Sequence, residues 1–185
     1  TDSDEEEHKA AETLKQEHQA MVAAAGEDRA VLITFSVSNL PSHLVESSQL
    51  SSFATTCAVW DAEAIDEQGQ QCPTLVAYTP SIRGELSPDY QTACMLSYSS
   101  AAKNHFEVLI CQCDDPQTLA SAPVLCRATI DLTYILASFA RTSQHVVYPL
   151  TDPQTGAEAG SLEVLVFSEA MTELVLFLGS DVAVF

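Results

Sequence analysis

His105-Phe106-Glu107-Val108-Leu109-Ile110-Cys111-Gln112-Cys113-Asp114-Asp115-Pro116 carries the clearest signal of architecture in this chain. Phe106, Val108 and Ile110 fall on alternate positions, the period-two pattern of a strand with one face in a core. The run stops at Asp114-Asp115-Pro116, because aspartate favours turns and proline brings no N–H to a strand ladder. A second apolar run follows from Val124 to Leu136. Tyr148-Pro149-Leu150 and a glycine-led strand, Ser161 to Phe167, come after it.

The same period extends upstream. Val31, Ile33, Phe35 and Val37 alternate with Leu32, Thr34, Ser36 and Ser38, and Asn39-Leu40-Pro41 ends that strand. A serine-rich loop, Ser42 to Ser52, leads to a strand through Phe53, Thr55, Cys57 and Val59, with Trp60 on its other face. After a polar loop, Asp61 to Gln71, Thr74 to Thr79 and Tyr90 to Tyr98 read as the third and fourth strands. Phe106 to Ile110, Val124 to Ile130, His145 to Tyr148 and Ser161 to Phe167 complete the set. Asp131 is placed to cap a short helix through Leu132, Ile135, Leu136 and Phe139. Short strands separated by polar turns predict an all-β protein, an eight-stranded antiparallel β-sandwich over residues 29–170.

Two segments flank that body. Residues 1–28 read as an acidic helical arm. Ser3 with Glu6 has the spacing of a capping box, and Ala11, Leu14, His18, Met21 and Ala25 make one stripe that ends at Gly26. Residues 171–185 read as an apolar extension. Leu174-Val175-Leu176-Phe177-Leu178 and Val182-Ala183-Val184-Phe185 flank Gly179-Ser180-Asp181, which suits a hairpin. Both arms are apolar on both faces and need cover, from this sandwich, a following domain or an oligomer interface. Leu109, Cys111 and Cys113 lie opposite Phe106, Val108 and Ile110, so the outer face of that strand also needs cover. The N-terminal helix, the extension and a partner are the candidates. No stretch has the ~20 consecutive apolar residues of a membrane helix.

Charge narrows the partners. The net charge is −19, from 26 acidic and 7 basic residues. Nine acids and two bases precede Arg29, a balance of −7, which leaves −12 on the rest. Such a surface repels phosphate backbones and anionic headgroups. Nucleic acid is thereby excluded as a partner, docking on an acidic leaflet is disfavoured, and basic proteins or peptides suit the field. Arg83, Lys103, Arg127 and Arg141 are scattered in sequence and form no lipid-binding cluster.

The six cysteines, Cys57, Cys72, Cys94, Cys111, Cys113 and Cys126, mostly fall in strand-like runs. They are expected as reduced, packed thiols of a cytoplasmic protein. The start at Thr1 reads as a fragment of something longer. Cys111-x-Cys113 lacks the second pair of ligands that structural zinc needs, and Cys94 with His105 is a nucleophile pair on paper only. Asp61, Glu63, Asp66 and Glu67 read as a solvated acidic loop.

From about Ala30 to Ala170 the sequence resembles C2 domains, most closely the first C2 domain of copines. Val31 to Leu40 resembles the opening strand and its asparagine-leucine exit. Leu86-Ser87-Pro88-Asp89-Tyr90 is similar to the turn before an aromatic-led strand, and Phe106-Glu107-Val108 to the strand that follows. Ala128 to Ser138, Tyr148-Pro149-Leu150 and Gly160-Ser161-Leu162 resemble the ending. The resemblance implies an eight-stranded sandwich with three loops at one end, where calcium-binding members carry several aspartates. Calcium takes six to eight oxygen ligands. Here the first loop, Ser42 to Ser52, has one glutamate and no aspartate, and the third has only Asp114 and Asp115 as residual weak candidates.

The expected function is therefore a calcium-independent, C2-like protein-interaction module of a larger cytoplasmic or cytoskeletal scaffold, with a ciliary setting as a finer expectation. No cofactor, no metal and no catalytic residue is expected, with weak calcium binding left open. The alternative is a peripheral phospholipid-targeting domain. Candidate binding residues are Leu44, Val45, Leu50 and Phe53 in and after the first loop, and Leu109, Cys111 and Cys113 on the outer face. Oligomerisation is expected through the extension or the N-terminal helix, if at all.

Overall fold

A computed structural model of the chain describes residues 2–167. The apolar extension expected at 171–185, with its hairpin, lies outside the described residues.

Each of the eight expected strands forms. In chain order they are β1 (Arg29–Ser38), β2 (Ala54–Asp61), β3 (Thr74–Tyr78), β5 (Asp89–Tyr98), β6 (His105–Gln112), β7 (Val124–Asp131), β8 (Val146–Thr151) and β9 (Glu158–Val166). A two-residue strand, β4 (Ile82–Arg83), pairs with the start of β2 and carries no period legible in sequence. All pairings are antiparallel, in the order β3-β2-β6-β7-β8-β9-β1-β5.

That order is two four-stranded layers. β3-β2-β6-β7 is one and β8-β9-β1-β5 the other. They meet between β7 and β8, where the ladder holds a single residue pair, Arg127 with Thr151. Packing rather than backbone pairing holds the layers together. Val31, Ile33, Phe35 and Val37 of β1 face inward, as their alternation requires, and join Cys57, Val59, Val108, Ile110, Leu162 and Val164 in one buried cluster. Inside it the Thr55 and Tyr90 hydroxyls are 2.5 Å apart, so both buried oxygens have a partner.

Two helices close the end where β7 stops. Helix α2 (Leu132–Thr142) buries Leu132, Ile135 and Leu136. The Asp131 side chain caps it as expected, accepting from the N–H groups of Thr133 at 3.0 Å and Tyr134 at 3.4 Å. Asn104, in left-handed backbone, ties the β5–β6 loop to this helix: its amide donates to Ser99 O, Ala102 O and Thr133 Oγ1. Helix α1 (Asp2–Ala25) packs its end against α2. Along its stripe Ala11, Leu14 and His18 stay exposed, Met21 is half-buried and Ala25 is buried. The helix is already running at Asp2, so Ser3 lies inside the first turn and does not cap it.

The outer face of β6 is dry at Cys111 and Cys113, and among the described residues a loop covers it rather than the N-terminal helix. Cys111 and Cys113 pack with Ala58 and Leu119, flanked by Trp60, Leu75, Leu109 and Val124. Leu119 belongs to a 3₁₀ turn, Pro116–Ser121, in the β6–β7 loop. The loop folds back over the strand that delivers it, a local solution that leaves the N-terminal helix free of that task.

One glycine fixes how β9 meets β1. Gly160 has φ +98, and a Cβ there would stand 2.6 Å from Ser38 O and 2.8 Å from Asn39 O. Both obstacles are backbone and cannot swing away. Gly160→Ala should therefore lower the unfolding free energy by roughly 3 kcal/mol, measured by denaturant titration. Asp131→Ala, which removes only the α2 cap, should cost about 1 kcal/mol in the same assay.

Candidate functional site

Strand direction gathers three loops at the end of the sandwich opposite the helices. β1 runs into residues 39–53, β3 into 79–88 and β6 into 113–123, and the return strands β2, β5 and β7 start there. Hydrogen bonds tie the loops to one another. Leu40 N donates to Leu86 O at 2.8 Å, Gly84 N to Phe53 O at 2.9 Å and Cys113 N to Ala54 O at 3.1 Å. Ser81 is the common joint: its hydroxyl lies 2.8 Å from Cys113 O, 3.0 Å from Asp114 O and 3.0 Å from Thr56 Oγ1. Sequence reasoning missed Ser81, since one serine in a polar loop carries no local signal.

The first loop winds into two 3₁₀ turns, Ser42–Leu44 and Ser47–Ser52. Leu44, Val45 and Leu50 are half-buried there, and Leu44 packs against the main core. Phe53 is 2% exposed and belongs to the interior, so it is not available to a partner. The same holds for Cys111 and Cys113, 2% and 4% exposed beneath the 3₁₀ turn of the third loop, while Leu109 is half-buried beside them. The structure thus brings Leu44, Val45 and Leu50 to one end with Asp114 and Asp115, and sets Leu109, Cys111 and Cys113 in a covered face.

Both aspartates of the third loop have partners. The Asp114 carboxylate pairs with the Arg83 guanidinium, 31 positions away in sequence. Both groups are more than half exposed, so the pair orients side chains more than it stabilises the fold. The Asp115 carboxylate accepts from Gln117 N at 3.0 Å and caps the 3₁₀ turn. On the neighbouring β8–β9 turn, N–H donation from Gln154 and Thr155 holds the Asp152 carboxyl below its ordinary value, with His43 adding to the effect. Among the described residues, no three or more His, Cys, Asp or Glu side chains are grouped so as to hold a metal ion.

The remaining chemistry is dispersed. Cys94 is buried in the main core, whereas His105 turns its Nε2 to Asp131 Oδ2 at 3.7 Å, so the two do not form a nucleophile–base pair. Burial pushes the Cys94 and Cys111 thiols up to about 11 and the Cys126 thiol up to about 12. No described helix is long and apolar enough to cross a membrane.

No known family model matches the sequence, and no curated protein matches it. Solved structures similar in shape include two proteins. One is a chain of CC2D1B, a protein that coordinates ESCRT-III activity during the mitotic reformation of the nuclear envelope; it is 16% identical with a TM-score of 0.43. The match covers 75% of this chain and 53% of that one, so the chain spans about half its length. The other is a C2 domain of plant extended synaptotagmin 1, 11% identical with a TM-score of 0.41, covering 76% of this chain and 99% of that one. At such distance neither carries an argument about sites or activity.

The thiols supply a direct check on the packing. A thiol reagent at about pH 8 should label Cys72, the exposed cysteine, and spare the five buried ones until the protein is unfolded. Raised folded-state thiol values favour the folded protein while the unfolded thiols stay protonated, below about 9. That advantage is lost as pH climbs from about 9 to about 11. Denaturant midpoints should fall between about pH 8 and about pH 10.

Proposed function

We propose that this chain is a C2-like interaction module that binds protein without calcium, within a larger cytoplasmic scaffold. The pairing of Asp114 with Arg83 is the observation that most supports this reading. A guanidinium in that position supplies the positive charge a divalent cation would otherwise bring. Asp115 is spent on its own turn, and the first loop has no aspartate to add. A calcium ion there would keep most of its water and bind weakly. The sequence resemblance to C2 domains and the two four-stranded layers agree with a domain that works through its loop end. The overall charge of −19 favours a basic protein partner over an anionic leaflet.

Membrane targeting is the second reading, favoured by Leu44, Val45 and Leu50 at the loop end. Their half-burial leaves less apolar surface for insertion than a free tip would offer. Charge leaves neutral lipid as the compatible surface. No enzymatic role is proposed.

Calcium calorimetry and vesicle sedimentation separate these readings. The chain should show no calcium uptake tighter than about 1 mM, and Arg83→Ala should leave Asp114 unpaired without creating a tight site. It should stay in the supernatant with both neutral and anionic vesicles, in calcium and in chelator alike. Uptake at about 10 μM, or sedimentation that a chelator abolishes, would replace this proposal with the second reading.

A further inference from the structure

Helix α1 leaves the body in a fixed direction. The Arg29 guanidinium donates from Nη1 to Ala25 O at 2.8 Å and to Glu27 O at 3.0 Å, and so caps the helix it follows. The Asp28 carboxylate accepts from Ser100 N at 2.7 Å and ties the same junction to the β5–β6 loop. Here α1 meets α2, and Met21 is half-buried and Ala25 buried. Beyond this contact residues 2–20 are all exposed, about 28 Å of helix standing in solvent.

The face that meets α2 continues along the exposed part. His18, Leu14 and Ala11 precede Met21 and Ala25 at the three- and four-residue spacing that keeps side chains on one side of a helix. Leu14 is 66% exposed at its centre. Glu17 borders Leu14 one turn on, and one and two turns before Ala11 the stripe becomes acidic at Glu7 and Asp4. Over its whole length α1 carries seven acidic against two basic residues, a balance of −5. A second copy of α1 would set like charges against these acids, which disfavours self-pairing. A helix with an apolar stripe and basic flanks meets Leu14 and the acids together.

We propose that α1 is a docking arm for a basic amphipathic helix of a partner protein, which lies along Ala11, Leu14 and His18 as a continuation of the α1–α2 contact. The fixed junction at Asp28 and Arg29 presents that stripe already oriented, so binding does not have to order the arm. The arm stands at the end of the sandwich opposite the three loops. The proposal therefore shares with the loop-end reading only its preference for basic protein, and the calcium and vesicle measurements leave it untouched.

Three synthetic peptides of about 20 residues, offered to the full chain at about 0.15 M salt, test it. The first places leucine at helical three- and four-residue spacing with lysine elsewhere, the second has the same composition with the leucines off the stripe, and the third carries glutamate in place of lysine. Titration calorimetry should show binding of the first alone, and hydrogen exchange should slow at residues 8–20 and not in β6. Leu14→Ser, at an exposed position that the fold does not need, should weaken binding at least about tenfold. Equal binding by the second peptide, or an unchanged affinity in Leu14→Ser, overturns the proposal, because the contact is then diffuse charge attraction. Protection of residues 8–20 that rises with the chain's own concentration in the absence of peptide also overturns it, because the occupant is then a second copy.

Discussion

The apolar seam between two four-stranded layers carries this structure. Their only ladder link among the described residues is the Arg127–Thr151 pair. Ile33, Phe35, Val59, Ile110 and Leu162 must therefore hold the layers by exclusion of water, at ~1.5–3 kcal/mol for each large side chain fully buried. The polar groups caught in that seam are few, and the Thr55–Tyr90 hydroxyl contact shows how one pair is accommodated. An unmatched hydroxyl in the same place would cost what a neighbouring methyl group contributes.

The loop end follows from the seam. Once the inward rows of β1, β3 and β6 are fixed, their exits fall at one end, and backbone groups of three loops meet there. Ser81 contacts two carbonyls of the third loop and the hydroxyl of Thr56, so the second loop is tied to the third and to β2. Arg83 stands two residues further on and meets Asp114 for the same reason. An acidic turn that looks in isolation like part of a cation site has an internal cation beside it.

Helices and turns complete the cover. The 3₁₀ turn around Leu119 shields Cys111 and Cys113 on the outer face, and α2 shields the end of the seam through Leu132 and Ile135. Most of α1 takes no part, as the 66% exposure of Leu14 shows. Asp2, Asp4 and Glu5 lie in its first turn, where the helix dipole favours them, and local effects can sustain such a helix with little packing.

The strands, the α2 cap at Asp131 and the packed state of most cysteines were legible in the order of residues alone. Each of these depends on neighbours within a few positions: alternation places a side chain in or out, and a carboxylate reaches the next N–H groups. The burial of Phe53, the cover over Cys111 and Cys113, the two-residue β4 and the Arg83–Asp114 pair emerged only when the chain was folded. These depend on strand register and loop return, which bring together residues tens of positions apart, and a one-residue shift in register would change every such partner. Local pattern says which face a side chain takes; only the assembled layers say what stands opposite it.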